Sequence, residues 1–198
     1  MSVKINPRKL PGPWTDGFAL DLHITRSTFL GYNAYGHPEF DTARSPLGEL
    51  VYRLKNRGDG SAIEPIVETV LGFLKTWRLS VDAIVPVPPS NTSRKNQPVI
   101  EVATAISERT SVPLCTSCLS KVRNTAQLKS VFERAKRDEI LAGAFSVDRE
   151  QTKGKRLLVF DDLYRSGATA GAIAMLLAGE GAASSVYLLT LTQTRKKL

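Results

Sequence analysis

The stretch KGKRLLVFDDLYRSGATAGAIAMLLAGEGA, residues 153–182, sets two adjacent carboxylates, Asp161 and Asp162, between an apolar run and a glycine-bearing turn. Residues 157–160 read as a buried strand, because a short continuous apolar run between polar segments suits a strand covered on both faces. From Thr169 the pattern is helical, with Gly179 or Gly181 near its end. Two buried carboxylates would be costly, since like charges in an apolar setting resist ionising together. The aspartates are therefore expected at the rim, where the strand stops. Beyond them, the backbone N–H groups of Arg165, Ser166, Gly167, Ala168 and Thr169 and the dipole of the coming helix would converge on one small volume, which suits an anion. Gly167 permits close approach or a positive φ, and Ser166 and Thr169 add hydroxyl donors. Carboxylates beside such a cradle fit a phosphorylated sugar, with acceptors for its hydroxyls and donors for its phosphate. The alternative is a capped strand-to-helix turn in which Asp and Ser serve only local geometry.

Outward from this stretch, strands and helices alternate. DAIVPVPPS (82–90) is an apolar run stopped by prolines, PVIEVATAISERT (98–110) is helical, VPLCTS (112–117) reads as a short strand, and FERAKRDEILAGAF (132–145) carries a helical piece ending near Gly143. SSVYLLTLT (184–192) is a further strand. Such alternation predicts an α/β fold, a parallel sheet covered on both faces. Earlier in the chain, SPLGELVYRLKNRGDG (45–60) predicts a helix with Ser45 as N-cap, Pro46 at its first position and Gly58 at its end. IEPIVETVLGFLKTWRL (63–79) is a second amphipathic segment, and the first 39 residues, rich in Pro and Gly, read as one or two strands and loops. The organisation expected is a single compact domain, with residues 1–80 as an N-terminal hood and helical region on a core of residues 81–198.

At 198 residues, with 42% hydrophobic and 23% charged composition, the chain can bury one substantial core. No apolar run approaches the roughly 20 residues that cross a bilayer, and MSVKINPRKLPGPW has a basic start without an apolar core behind it. A cytoplasmic protein with no membrane partner is expected. Cys115 and Cys118 supply two of the four ligands of a structural zinc, and as they follow Pro113 in an extended stretch they read as two reduced thiols. The net charge of +8 points to an anionic partner, nucleic acid or polyphosphate, although the basic residues are scattered in the manner of a solvated surface.

VFDDLYRSGAT (159–169) resembles the phosphoribosyl pyrophosphate binding motif of type I phosphoribosyltransferases. AIVPVP, a basic loop, KVRNTAQLKSVFERAKRDEILAGAF (121–145) and the motif strand together resemble the ComF-like branch over roughly residues 83–192, with weaker similarity in RSPLGELVYRLKNRGD (44–59). The sequence departs from that branch in having no four-cysteine zinc module and in carrying Arg165 where the motif usually has a small residue.

The resemblance implies a type I phosphoribosyltransferase-like sheet flanked by helices, with a small N-terminal hood. It implies that Asp161 and Asp162 hold the ribose hydroxyls, directly or through Mg²⁺, and that residues 165–169 bind the 5-phosphate. Pyrophosphate would lie over the loop of Pro89, Ser90, Asn91, Thr92, Ser93, Arg94 and Lys95, whose donors would stabilise its departing charge. SKVRNTAQ (120–127) resembles a loop that closes over the site, from which Lys121 and Arg123 would reach the pyrophosphate and exclude water. The implied activity is Mg²⁺-dependent displacement of pyrophosphate by an acceptor, in nucleotide metabolism, by a homodimer. No motif names the acceptor; Trp14, His23, Tyr32, Tyr35 and His37 are candidates to stack on a ring and equally candidates for core and turns. A second reading is a non-catalytic protein binding phosphoribosyl pyrophosphate, a nucleotide or single-stranded DNA in DNA uptake by competent cells. Against it, the basic clusters are not interleaved with aromatic platforms.

Overall fold

A computed structural model describes residues 1–89, 96–122 and 143–195. In chain order these form β1 (Arg8–Lys9), β2 (Asp16–Leu22), β3 (Ile24–Tyr32), β4 (Pro38–Arg44), α1 (Pro46–Arg57), a 3₁₀ turn (Gly60–Ala62), α2 (Ile63–Trp77), β5 (Ala83–Pro86), α3 (Pro98–Thr110), β6 (Leu119–Lys121), β7 (Phe145–Val147), α4 (Arg149–Thr152), β8 (Arg156–Tyr164), α5 (Ala168–Ala178) and β9 (Ser185–Gln193). The central sheet runs β1-β2-β9-β8-β5. Its pairs are parallel from β2 to β5, and only β1 runs antiparallel. Helices cover both faces, so the expected α/β architecture is the one present.

The pleat of β8 sorts its side chains. Leu157 and Val159 join the core under α5 with Ile173 and Leu177. Leu158 and Phe160 point the other way, into the core made by α1, α2 and α3 with Leu50, Ile66 and Ile106. This is the period-two alternation of a strand buried on both faces. Residues 8–22, read as hood from the sequence, contribute β1 and β2 to the central sheet, where β2 pairs with β9 from Asp16↔Tyr187 to Leu22↔Gln193. The β3–β4 hairpin stands apart as its own two-stranded sheet and is mostly exposed.

Three details differ from the sequence expectations. The strand read as ending at Phe160 continues to Tyr164, because Asp161, Leu163 and Tyr164 stay in register with Thr190, Thr192 and Gln193 of β9. VPLCTS makes a single parallel bridge, Leu114 to Ile84, since the chain turns immediately afterwards. That turn brings the α-carbons of Cys115 and Cys118 to 5.5 Å, within disulfide range, and the pair is a disulfide rather than two thiols. The expected helical piece within residues 132–145 lies largely outside the described residues.

Helix α1 begins as its sequence predicts. The Ser45 hydroxyl accepts from Gly48 N–H at 2.9 Å and donates to the Leu22 carbonyl at 2.6 Å, tying the helix start to the end of β2. Gly48 has no room for a side chain, since a β-carbon would stand 2.3 Å from the His23 carbonyl oxygen. Gly58 closes the helix in the left-handed region at φ 66°. Ser45 is almost fully buried, so Ser45→Ala leaves a helix N–H and a strand carbonyl without their partner. It should lower unfolding free energy by about 1–2 kcal/mol in urea denaturation.

Candidate functional site

From β5 the chain passes through α3 and touches the outer side of β5 at Leu114, then returns to the inner side of β5 as β8. The direction of winding therefore reverses at β5 and β8, and in an open parallel sheet such a reversal leaves a crevice beyond the carboxyl ends of the strands. A cavity of about 240 Å³ lies there, lined by Val87 and Pro89 after β5, Asp161 and Asp162 of β8, Thr169 at the start of α5, Lys121 of β6 and Lys55 of α1.

The pleat separates the two carboxylates. Asp162 continues the Leu158 and Phe160 side, towards α1, and its Oδ2 accepts from Lys55 Nζ. Asp162 is 7% exposed, which corrects the expectation of two solvated acids at the rim. Burial is tolerable because an ammonium group from the last turn of α1 meets the carboxylate. The backbone carbonyl of Asp162 is also engaged, accepting from Thr192 Oγ1 at 3.0 Å. Asp161 lies on the alternate side and opens into the cavity, where its Oδ1 accepts the Asp162 N–H at 2.8 Å. Burial first, and then the charge of Asp162, push the Asp161 carboxyl up to about 7, against the smaller opposing effects of the Asp162 N–H and Lys55. Burial also holds the Lys121 ammonium below its usual value.

The turn after β8 is shaped by one glycine. Gly167 has φ 79° and precedes α5, so its backbone conformation disfavours any other residue, and a β-carbon there would also push aside the Tyr164 hydroxyl, 2.3 Å away. Gly167 has no side chain to cap α5, Ala168 N–H reaches only Ser166 Oγ at 3.5 Å, and the opening N–H groups of this 11-residue helix lie beside Thr169 at the cavity wall. Arg165 and Ser166 are exposed on the same turn.

Of the residues singled out in the sequence, Pro89, Lys121, Asp161, Asp162 and Thr169 line this one cavity. Arg165, Ser166, Gly167 and Ala168 form the adjoining turn. Ser90, Asn91, Thr92, Ser93, Arg94, Lys95 and Arg123 lie outside the described residues. Lys55 was missed: within RLKNRGD it looks like one of many surface cations, and the sole local sign was its place beside the buried Leu54. Among the aromatic and histidine candidates, Trp14 donates to the Leu10 carbonyl at 2.8 Å and packs edge-on against Tyr164. His23 meets Thr192 Oγ1 at 3.2 Å. Tyr32 and Tyr35 are exposed on the hairpin, and the His37 N–H donates to Asn33 Oδ1 at 3.0 Å.

Whether a divalent ion fits can be judged from the donors. Among the described residues no three His, Cys, Asp or Glu side chains gather into a metal-binding group, and one of the two carboxylates is held by Lys55. The pair suits Mg²⁺ that arrives with most of its oxygen ligands on a phosphate-bearing substrate and in its own water.

No protein-family profile matches the chain, and no curated protein matches it. Solved structures do. The chain is similar to the allosteric regulatory enzyme of purine biosynthesis, at a TM-score of 0.51 and 19% identity over 84% of this chain and 38% of that one. It is also similar to the glutamine phosphoribosylpyrophosphate amidotransferase of B. subtilis, at 0.49 and 20% identity over 80% and 34%, and to the adenine phosphoribosyltransferase of Leishmania donovani, at 0.49 and 11% over 95% and 75%. The chain thus spans under two fifths of the first of these proteins. The likeness is one of fold: an α/β fold with a mostly parallel central sheet flanked by helices.

The raised Asp161 value carries a stability signature. Because the folded value of about 7 exceeds the ordinary 3.8, the folded state holds this proton more tightly than the unfolded chain. Its contribution is intact below about pH 4 and is lost as pH rises towards 7. Asp161→Asn should therefore match the wild type near pH 4 and be more stable at pH 8, on the order of 1–2 kcal/mol, in denaturant titrations at both pH values.

Proposed function

We propose that this chain is a phosphoribosyltransferase, of the ComF-like branch, that takes phosphoribosyl pyrophosphate at the crevice between β5 and β8. The observation that carries the reading is the conjunction at one reversal of the sheet: a carboxylate pair, one member paired with Lys55, beside a glycine-led helix start that presents backbone N–H donors. Fold likeness at 19% identity supports the architecture alone.

In this assignment Asp161 and Asp162 orient the ribose 2- and 3-hydroxyls, and the backbone of residues 165–169 holds the 5-phosphate, with Ser166 and Thr169 as hydroxyl donors. Pro89 and the following Ser90, Arg94 and Lys95 take the pyrophosphate, joined by Lys121 and Arg123. The bond from C1 to the pyrophosphate oxygen breaks with its electron pair leaving on pyrophosphate, while a lone pair of the acceptor forms the new bond to C1 and the acceptor's proton is lost to water. Positioned cations and N–H groups lower the barrier by meeting the charge that develops on the leaving group. Mg²⁺ bound with the substrate would neutralise pyrophosphate charge. Lys55 acts through Asp162, orienting the carboxylate by the ion pair between them.

The hood is narrowed to the β3–β4 hairpin, because β1 and β2 belong to the central sheet. A homodimer and a cytoplasmic location accompany the proposal, and no described helix is long and apolar enough to cross a membrane. One observation favours a binding role without catalysis: Phe29, Tyr32 and Phe40 cluster on the exposed hairpin, with ring centroids 5.3 and 5.5 Å apart from Phe29, and could stack on the bases of single-stranded DNA. Glu39 and Asp41 flank Phe40 and oppose a phosphate backbone.

Calorimetric titration of phosphoribosyl pyrophosphate with Mg²⁺ separates the readings. Wild type should bind, and Asp161→Asn/Asp162→Asn should lose at least about tenfold in affinity, the value of roughly 1.4 kcal/mol. Absence of binding by the wild type overturns the transferase reading; steeply salt-dependent oligonucleotide binding would then support the DNA reading.

A further inference from the structure

The Cys115–Cys118 disulfide has no role in the proposed sugar-phosphate chemistry, and its surroundings are not those of an inert cross-link. It joins residues only three positions apart, and a bridge across so short a loop adds less stability than one that closes a long loop. Its two sulfurs also differ in access: Cys115 is half-buried, whereas Cys118 is completely buried. An incoming thiolate therefore meets Cys115 Sγ, with Cys118 as the departing sulfur.

Beside both sulfurs stands the side-chain oxygen of Gln151, 3.2 Å from Cys115 Sγ and 4.0 Å from Cys118 Sγ. The amide is held in this orientation because its Nε2 donates to Asp148 Oδ2 at 2.6 Å. The Ser117 hydroxyl donates to the same oxygen at 3.0 Å. Of these three neighbours only Ser117 has a hydrogen to give while the sulfurs are joined. Reduction places an S–H on each sulfur, and the second lone pair of the amide oxygen is already in reach of them. The pair is thus furnished for the dithiol as well as for the disulfide.

The bridge also ties two parts of the fold together. Cys115 N–H donates to the Ile84 carbonyl of β5 at 2.8 Å, and the Cys118 carbonyl accepts from Asp148 N–H, just past β7, at 2.9 Å. Between those points runs the β6–β7 ribbon, only three residue pairs long, which brings Lys121 and Phe145 to the wall of the crevice. We propose that Cys115 and Cys118 form an exchange-active redox couple, opened by dithiols at Cys115, whose state sets how firmly the ribbon and its Lys121 are held beside the crevice. A thiolate of the dithiol bonds to Cys115 Sγ, and the S–S bond breaks with its electron pair passing to Cys118 Sγ, which takes up a proton. The second thiol of the reductant then attacks the reductant's own sulfur in the mixed disulfide, and Cys115 departs and is protonated in turn. The protein gains two electrons and two protons, and the dithiol becomes a disulfide. The reduced ribbon keeps its ladder and the packing of Leu119 and Phe145 in the core, but it loses the covalent tie to the segment on β5 and opens more readily.

Dithiothreitol serves as the dithiol, and labelling by iodoacetamide, read by mass spectrometry, counts the thiols. Wild type treated with oxidised glutathione should take no label, and after dithiothreitol without denaturant it should take two, with its circular dichroism retained. Oxidised glutathione should form a mixed disulfide with Cys118→Ser at least tenfold faster than with Cys115→Ser. Gln151→Met should need at least a threefold higher ratio of reduced to oxidised dithiothreitol for half-reduction. In hydrogen–deuterium exchange, the amides of β6 and β7 should exchange about tenfold faster in reduced than in oxidised wild type, with those of β8 and β9 unchanged. A bridge that opens only in denaturant, equal glutathione rates in the two serine variants, or an unshifted midpoint in Gln151→Met overturns the exchange couple. Ribbon exchange that does not respond to reduction overturns its hold on Lys121. The labelling and hydrogen-exchange measurements on wild type decide the matter even where Cys118→Ser does not fold, and none of these readouts depends on phosphoribosyl pyrophosphate.

Discussion

The contact between Lys55 and Asp162 is the constraint on which the site depends. It joins residues 107 positions apart, and it lets a carboxylate sit at 7% exposure in an interior strand of the sheet. Burial at this depth strips a carboxylate of its solvation, and the ammonium group of Lys55 offsets that cost at Asp162. Lys55 can reach because α1 is anchored at its other end: Ser45 bonds the end of β2, and Gly48 lets the helix press against the backbone at His23. The N-terminal third of the chain is thus part of the chemistry of a motif near the C-terminus.

The second organising feature is the reversal of winding at β5 and β8. It creates a crevice with polar walls of different kinds: carboxylates from β8, N–H groups from the start of α5, and Lys121 from β6. Lys121 follows three residues after the Cys115–Cys118 disulfide, which closes the turn between the bridge at Leu114 and the start of β6. Small covalent and hydrogen-bonded devices of this kind position side chains that the regular elements alone would leave unconstrained. On the other side of β8, the same strand ends open towards a second cavity, lined by Arg8, Lys9 and Arg195 and by no acid among the described residues. The Tyr164 side chain packs over Gly167, whose left-handed backbone at φ 79° favours glycine at that turn.

Much of this was legible in the sequence, for physical reasons that can be named. The apolar run of residues 157–160 could only be a buried strand, Ser45-Pro46 and Gly58 bracketed a helix with recognised capping chemistry, and Ser-Gly-Ala-Thr after two acids marked the turn. Local misreadings arose where tertiary contacts extended or replaced local signals. The strand runs on through the aspartates because β9 continues to pair with it. The cysteines were read as thiols because an extended stretch was expected, whereas the chain turns there and brings them together.

By itself, then, the sequence determined the alternation of strands and helices, the strand that carries Asp161 and Asp162 and the glycine turn after it, because these follow from periodicity and short-range backbone chemistry. The tertiary structure alone decided that β1 and β2 belong to the central sheet, that Lys55 answers Asp162, and that Arg8, Lys9 and Arg195 meet around one cavity. Those outcomes depend on contacts between residues far apart in the chain, and a pattern read over a window of ten or fifteen residues carries no record of which distant cation will face which acid.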